Sequence, residues 1–184
     1  MICVVTGERG TGKSVLCKRV ADEAGRIGLS VGGLVTERLG DMPGSPRRVI
    51  DLASGESRRF GSRGATAAAT DPLTPGWEYD QGMFDWANGV LSRSTPCDLL
   101  IVDEVGPLEL KGGRGWTKAL EALRAGDFRA ALVVCRPALL PDLAERLGSE
   151  PAEFVKVDPD TREGLAATLL ETLFPAGTSL FSGL

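Results

Sequence analysis

An α/β fold with a mainly parallel sheet and helices on both of its faces is what this 184-residue chain predicts. Two observations carry the prediction. Short apolar runs alternate along the chain with stretches in which apolar residues recur every three to four positions, the signature of strands interleaved with helices. The runs Ile2-Cys3-Val4-Val5-Thr6 and Leu99-Leu100-Ile101-Val102 are also apolar almost throughout, as in parallel strands covered on both faces, whereas a strand with one wet face alternates.

The elements follow in order. The first strand, 2–6, leads through a glycine-rich turn into a helix that begins at Lys13 and repeats Val15, Leu16, Val20, Ala24 and Ile27 at helical spacing. Val31 to Arg38 reads as the second strand, with Gly32 and Gly33 permitting close backbone packing. Arg48 to Leu52 and Ser57 to Phe60 flank the turn Ala53-Ser54-Gly55-Glu56 and read as a β-hairpin added to the parallel sheet. Residues 61 to 80 hold Pro72, Pro75 and Gly76 with little periodicity, which predicts a loop close to the site. Gln81 to Arg93 is a helix through Met83, Phe84, Trp86, Ala87, Val90 and Leu91. After the strand at 99–102 come a helix from Trp116 to Ala125, a strand from Ala130 to Cys135, and a helix from Leu139 to Leu147 closed by Gly148. Phe154 to Val157 is a short strand, and a last helix runs from Thr161 to Leu173, with Asp160 or Thr161 as N-cap and Glu163 in its first turn. The length suits one domain over 1–174, with 175–184 as a frayed tail.

The turn after the first strand is Gly7-Glu8-Arg9-Gly10-Thr11-Gly12-Lys13-Ser14, a Walker A phosphate loop in strand-then-helix context. Its glycines let successive backbone N–H groups face one anion, Lys13 adds a point charge near the β- and γ-phosphates, and the Ser14 hydroxyl suits Mg²⁺. The helix beginning at Lys13 points its positive end at the same anion. The nucleotide-binding stretch therefore runs from Gly7 to Val15. The strand at 99–102 ends in Asp103-Glu104, a Walker B signature. At the carboxyl edge of a parallel sheet Asp103 can reach the metal shell begun by Ser14. Glu104, the next carboxylate out, suits the general base that orients and deprotonates water.

Composition narrows the chemistry further. The chain has 21 Lys and Arg against 25 Asp and Glu, a net charge of −4, which argues against a nucleic-acid surface. The arginine-rich stretch Arg38 to Arg63 is a local exception that reads first as a solvated hairpin face and second as a surface attracting a phosphate-bearing substrate or RNA. Histidine is absent, which excludes a Ser-His-Asp triad, a zinc-histidine site and a histidine base. Cys3, Cys17, Cys97 and Cys135 form no C-x-x-C pair, and Cys3 and Cys135, inside apolar strand patterns, read as reduced thiols packed as small apolar groups. With no basic leader and no run of membrane-spanning length, the expected location is cytoplasmic, away from membranes.

Four phrases in order resemble the small nucleoside-triphosphatases, the thermophilic NTPase family of the P-loop superfamily that includes the human cancer-related nucleoside-triphosphatase. They are GERGTGKS at 7–14, the glycine pair and Thr36-Glu37 at 32–37, Asp51 to Glu56, and Asp103 to Leu110. The resemblance implies a P-loop NTPase fold and Mg²⁺-dependent hydrolysis of ATP, GTP and other nucleoside triphosphates to the diphosphate and phosphate, with loose base selectivity. It places Gly7 to Ser14 on the phosphates, Asp103 and Glu104 at metal and water, and Thr36 and Glu37 toward the γ-phosphate. Glu109 reads as a buttress for Glu104, as a residue that closes the site, or as a surface turn carboxylate. Arg136 follows a strand on the ligand edge, where it reads either as the guanidinium that neutralises the transferred phosphoryl group or as an exposed arginine before a proline turn. Two other functions use the same loop: a nucleotide or small-molecule kinase, and a slowly hydrolysing nucleotide switch.

Overall fold

The computed structural model describes residues 1–40, 42, 45–63, 72–148, 153–158 and 164–175. Its strands are β1 (Ile2–Thr6), β2 (Val31–Arg38), β3 (Arg47–Asp51), β4 (Ser57–Arg63), β5 (Trp77–Tyr79), β6 (Cys97–Val102), β7 (Phe128–Val134) and β8 (Glu153–Lys156). The helices are α1 (Lys13–Arg26), α2 (Gln81–Ser92), α3 (Pro107–Leu110), α4 (Thr117–Ala125), α5 (Leu140–Leu147) and α6 (Leu165–Leu173).

One sheet holds all these strands in the order β5-β4-β3-β2-β6-β7-β1-β8. The five strands from β2 to β8 in that order are parallel, and β2-β3-β4-β5 are antiparallel neighbours. Helical crossovers connect parallel strands because a tight turn cannot return the chain to the same direction. Side chains alternate between faces, and both faces are covered. Val5, Leu99, Ile101 and Leu132 pack with Leu16 and Val20 of α1 and Leu169 of α6. Val4, Leu100, Val102 and Val133 pack with Met83 and Val90 of α2 and Leu120 of α4. Each such side chain contributes about 1.5–3 kcal/mol on leaving water, so the apolar β6 run is held by two layers at once. The result is the three-layer α/β architecture that the sequence predicts.

The hairpin is larger than its sequence suggests. Its β3 and β4 are joined by a turn in which the Asp51 carboxylate accepts from the Ala53 N–H at 3.0 Å and the Ser54 hydroxyl at 2.8 Å. Within the segment expected as a loop, β4 continues to Arg63 and β5 pairs with it, Gly61 opposite Tyr79. A three-residue strand is too short for a period-two signal, and what fixes it is tertiary: the Phe60 ring lies 5.2 Å from that of Tyr79 and 6.0 Å from that of Trp77. Residues 64–71 of that segment, the expected cap at Asp160, Thr161 and Glu163, and the tail from 176 lie outside the described residues. The helix expected from Leu139 is preceded by one 3₁₀ turn, Pro137–Leu139, and α5 starts at Leu140.

Sheet order sets the site. β7 lies between β1 and β6, so the residues that follow β7 stand between the phosphate loop and the acidic pair. The Val105 N–H donates to Val134 O at 2.9 Å and the Cys135 N–H to Val5 O at 3.1 Å, tying the three strand ends together.

Candidate nucleotide site

The turn from β1 to α1 is shaped from behind and open in front. Gly12 has φ +98°, a left-handed conformation that strains any other residue. A Cβ on Gly7 would stand 2.6 Å from the Val157 carbonyl oxygen. Lys13 is buried, and its Nζ donates to the carbonyl oxygens of Gly7 at 2.8 Å and Glu8 at 2.7 Å. The Thr11 hydroxyl donates to the same Glu8 oxygen at 3.0 Å. Burial lowers the Lys13 pKa, while Glu104 and Asp103 act to raise it. Arg9, Gly10, Gly12, Lys13, Ser14 and Val15 face the cleft described below; Gly7, Glu8 and Thr11 do not line it.

Asp103 is held by β2. The Thr36 N–H donates to Asp103 Oδ2 at 3.0 Å, the Thr36 hydroxyl to Asp103 O at 2.8 Å, and the Asp103 N–H to Leu34 O at 3.1 Å. The Ser14 hydroxyl lies close enough to favour the charged form of the Asp103 carboxylate, and both residues line one cleft. Thr36 thus fixes the orientation of Asp103 at the cleft. Burial pushes the Asp103 carboxyl up to about 6, against the Thr36 bond and the Ser14 hydroxyl, which favour its charged form.

The direction of that shift has a stability consequence. Between pH 3.8 and about 6 the folded protein keeps a proton on Asp103 that the unfolded chain has released. Stability from this group therefore falls as pH rises through that window and stays at its lower level above it. Thermal unfolding of the ligand-free protein between pH 4 and 7 should show this slope, and Asp103→Asn should flatten it. An unchanged slope in the variant assigns the effect to another group.

Glu104 and Arg136 stand side by side, with Arg136 Nε donating to Glu104 Oε1 at 2.6 Å. Both line the cleft and both are partly exposed. Glu37 is bound instead to Arg48 of β3, whose Nε donates to Glu37 Oε2 at 2.6 Å. Glu109 is buried, and its two oxygens accept the Gly106 N–H and the Trp116 N–H, each at 2.9 Å. It braces the turn after Glu104 through the backbone and is not a surface turn carboxylate. Desolvation raises its pKa.

The loop, the acidic pair and the antiparallel strands enclose a cleft of about 860 Å³, within the range of small-molecule sites. Two of its walls were not legible as such in the sequence. Arg38 and Arg47, from the stretch read as a solvated hairpin face, line the cleft, as do Phe60, Trp77, Tyr79 and Phe84. Arg47 lies with its guanidinium 5.1 Å from the Trp77 ring centroid. Desolvation and then the like charges of Arg9 and Arg38 lower its pKa. The available signals were the arginine cluster and the alternation in Trp77-Glu78-Tyr79, and neither says which way a side chain turns.

Comparison with known proteins gives the family and the fold. A family model described as NTPase matches residues 2–170. The chain is 38% identical to nucleoside-triphosphatase THEP1 of Pyrococcus abyssi over 119 residues, which span 63% of this chain and 64% of that protein. It is 33% identical to nucleoside-triphosphatase THEP1 of Ignicoccus hospitalis over 177 residues, 92% of this chain and 94% of that one. In fold it is similar to the crystal structure of THEP1 from Aquifex aeolicus, with a TM-score of 0.68 at 20% identity over 95% of this chain and 99% of that one. A glycine loop on β1, an acidic pair on β6 and a family match running through nearly the whole chain leave one conclusion: the protein belongs to the NTPase family.

Proposed function

We propose that this protein hydrolyses nucleoside triphosphates, ATP and GTP among them, to the diphosphate and phosphate, with water as nucleophile and Mg²⁺ as cofactor. The observation that carries the reading is the meeting of Ser14 and Asp103, two hard oxygen donors delivered by separate segments to the mouth of the phosphate loop. Mg²⁺ suits such a pair because it is held by one or two protein oxygens together with substrate phosphates and water. Among the described residues no group of three or more His, Cys, Asp or Glu side chains is placed to hold an ion by itself, so the donor set fits a shared ion. A desolvated carboxylate with a raised pKa also gains from a cation. When bound, Mg²⁺ neutralises charge on the β- and γ-oxygens.

The chain's own residues supply the rest. Gly10 and Gly12 keep the loop's backbone open to the phosphates, and Lys13, already an ammonium donor to two loop carbonyls, turns one or more N–H groups to the triphosphate. Glu104 takes the proton of the attacking water. Arg136, held beside Glu104, balances the charge that spreads over the transferred phosphoryl oxygens. Thr36 keeps Asp103 in place, and Glu37 sits behind, paired with Arg48. No helix among the described residues is long and apolar enough to cross a membrane, and the four cysteines are unpaired thiols, which supports a reducing, cytoplasmic setting.

Phosphate release measured with Mg²⁺ and with the ion chelated tests the reading; equal rates in both would remove the metal from it. Base selectivity is a second test. The sequence contains no N-K-x-D guanine-reading loop, and the affinity should come mainly from phosphates and metal. ATP and GTP are expected to differ in kcat/KM by no more than about tenfold, ~1.4 kcal/mol in transition-state binding. A gap beyond about a hundredfold, ~2.7 kcal/mol, would reveal a base pocket.

A further inference from the structure

Beyond Glu104, on the side away from the phosphate loop, the cleft continues under the antiparallel strands. The sheet order runs from β1 through β7, β6, β2 and β3 to β4 and β5, so the acidic pair divides the cleft into a phosphate end and a second end. The second end is aromatic. Of the ten aromatic residues in the chain, five meet there: Phe60, Trp77, Tyr79, Phe84 and Trp116. Its rim is cationic, formed by Arg38 and Arg47. Neither has a carboxylate partner among the described residues, and at Arg47 burial and the like charges of Arg9 and Arg38 lower the pKa while Glu104 and Asp103 act to raise it. Two arginines that converge on one rim, Arg47 with its guanidinium over Trp77 and neither bonded to a carboxylate, can take a phosphate.

A packing cluster alone does not account for this end. Trp116 is 2% exposed, yet its indole Nε1 has no hydrogen-bond acceptor among the described residues, and the Thr74 hydroxyl on the same lining is also buried and unpartnered. A buried donor left without a partner costs about 1–3 kcal/mol. Plain apolar rings would not relieve it, whereas the edge of a heteroaromatic ring carries acceptors and donors. Planar rings also suit the walls, since aromatic groups gain from edge and offset contacts with one another. A heteroaromatic ring at one end and a phosphate against arginine at the other describe a nucleotide.

The triphosphate in the loop cannot be that nucleotide. Lys13 faces its terminal phosphates and Glu104 the water beyond them, so its base lies on the opposite side of the loop from the recess. We propose that the recess is a second ligand site for a nucleoside monophosphate, its base among Trp77, Tyr79 and Trp116 and its phosphate on Arg47 and Arg38. The inference rests on the triphosphate reading of the loop for the direction in which the bound triphosphate points. The ligand's phosphate then sits on the Glu104 side of the triphosphate, and the protein holds two nucleotides at once.

Equilibrium dialysis of radiolabelled AMP and GMP against the full chain, with the loop saturated by Mg²⁺ and a non-hydrolysable triphosphate analogue, tests this. Saturable binding of one monophosphate per chain in the presence of the analogue is expected. Arg47→Ala should weaken it about tenfold or more, ~1.4 kcal/mol, and Trp77→Leu should do the same while its phosphate release without monophosphate stays within about twofold of the parent. Ribose 5-phosphate, which lacks the ring, should bind about tenfold more weakly or worse. Displacement of the monophosphate by the analogue would place it in the loop and overturn the second site. Equal binding of ribose 5-phosphate, or no saturable binding, would overturn it too. The hydrolysis reading fails separately, if the parent protein releases no phosphate while the monophosphate still binds.

Discussion

Lys13→Ala is expected to reduce phosphate release by about a hundredfold to a thousandfold, the scale for losing one preorganised charge that faces a developing anion, and to weaken triphosphate binding with it. In the structure this ammonium already donates to Gly7 O and Glu8 O, which brings the loop's only buried cation to the place where β- and γ-phosphates arrive. Alanine leaves α1 intact, because it is the best helix former and the position is the first of that helix. The melting temperature should therefore stay close to that of the parent. A folded Lys13→Ala protein with normal phosphate release would show that the chemistry occurs elsewhere.

Glu104→Gln should keep Mg²⁺-triphosphate binding and lose turnover by about a hundredfold or more, as expected when a general base is removed. The fold should not suffer. The Glu104–Arg136 pair is partly exposed, and exposed pairs are worth about 0–1 kcal/mol. Asp103→Asn acts differently, because it alters the buried carboxylate that Ser14 and Thr36 address, and should raise the Mg²⁺ concentration needed for half-maximal rate. Full turnover by Glu104→Gln alongside a dead Asp103→Asn would move the base to another carboxylate. Glu37 and Glu109 would be poor substitutes: one is bonded to Arg48 and the other to two backbone amides.

The loop end of the cleft was legible because its geometry is local. Eight consecutive residues define the loop, and the apolar run before Asp103 forces that residue to the edge of a doubly covered strand. Contact between Ser14 and Asp103 then follows from parallel topology. The other end was not legible, since it depends on which strand pairs with which. Arg47 and Arg48 are neighbours in sequence and belong to one arginine-rich stretch, yet one lines the cleft over Trp77 and the other reaches Glu37 across the β2–β3 pair. The single-residue alternation of a strand decides that outcome, and the strand's register is set by β2 and β4, not by the arginines. Residues 77–79 carry too short an alternation to be read as a strand for a related reason: the strand is held by pairing with β4 and by the Phe60 ring, both distant in sequence.

Glu109 also changes what counts as part of the catalytic phrase. Its carboxylate works as a clasp between the turn at Gly106 and the start of α4 at Trp116, and the carbonyl of Gly115 extends the fastening to Asn88 of α2, whose Nδ2 donates to it at 2.8 Å. The clasp closes only around a vacancy. Gly115 has φ +75°, and a Cβ there would fall on Glu109 Oε1, so any side chain at 115 evicts the carboxylate and lets go of the turn that follows Glu104. In mutational terms this glycine inherits the intolerance of the acidic pair while touching neither phosphate, metal nor water, and the boundary of the active site is drawn further along the chain by mechanics than by chemistry.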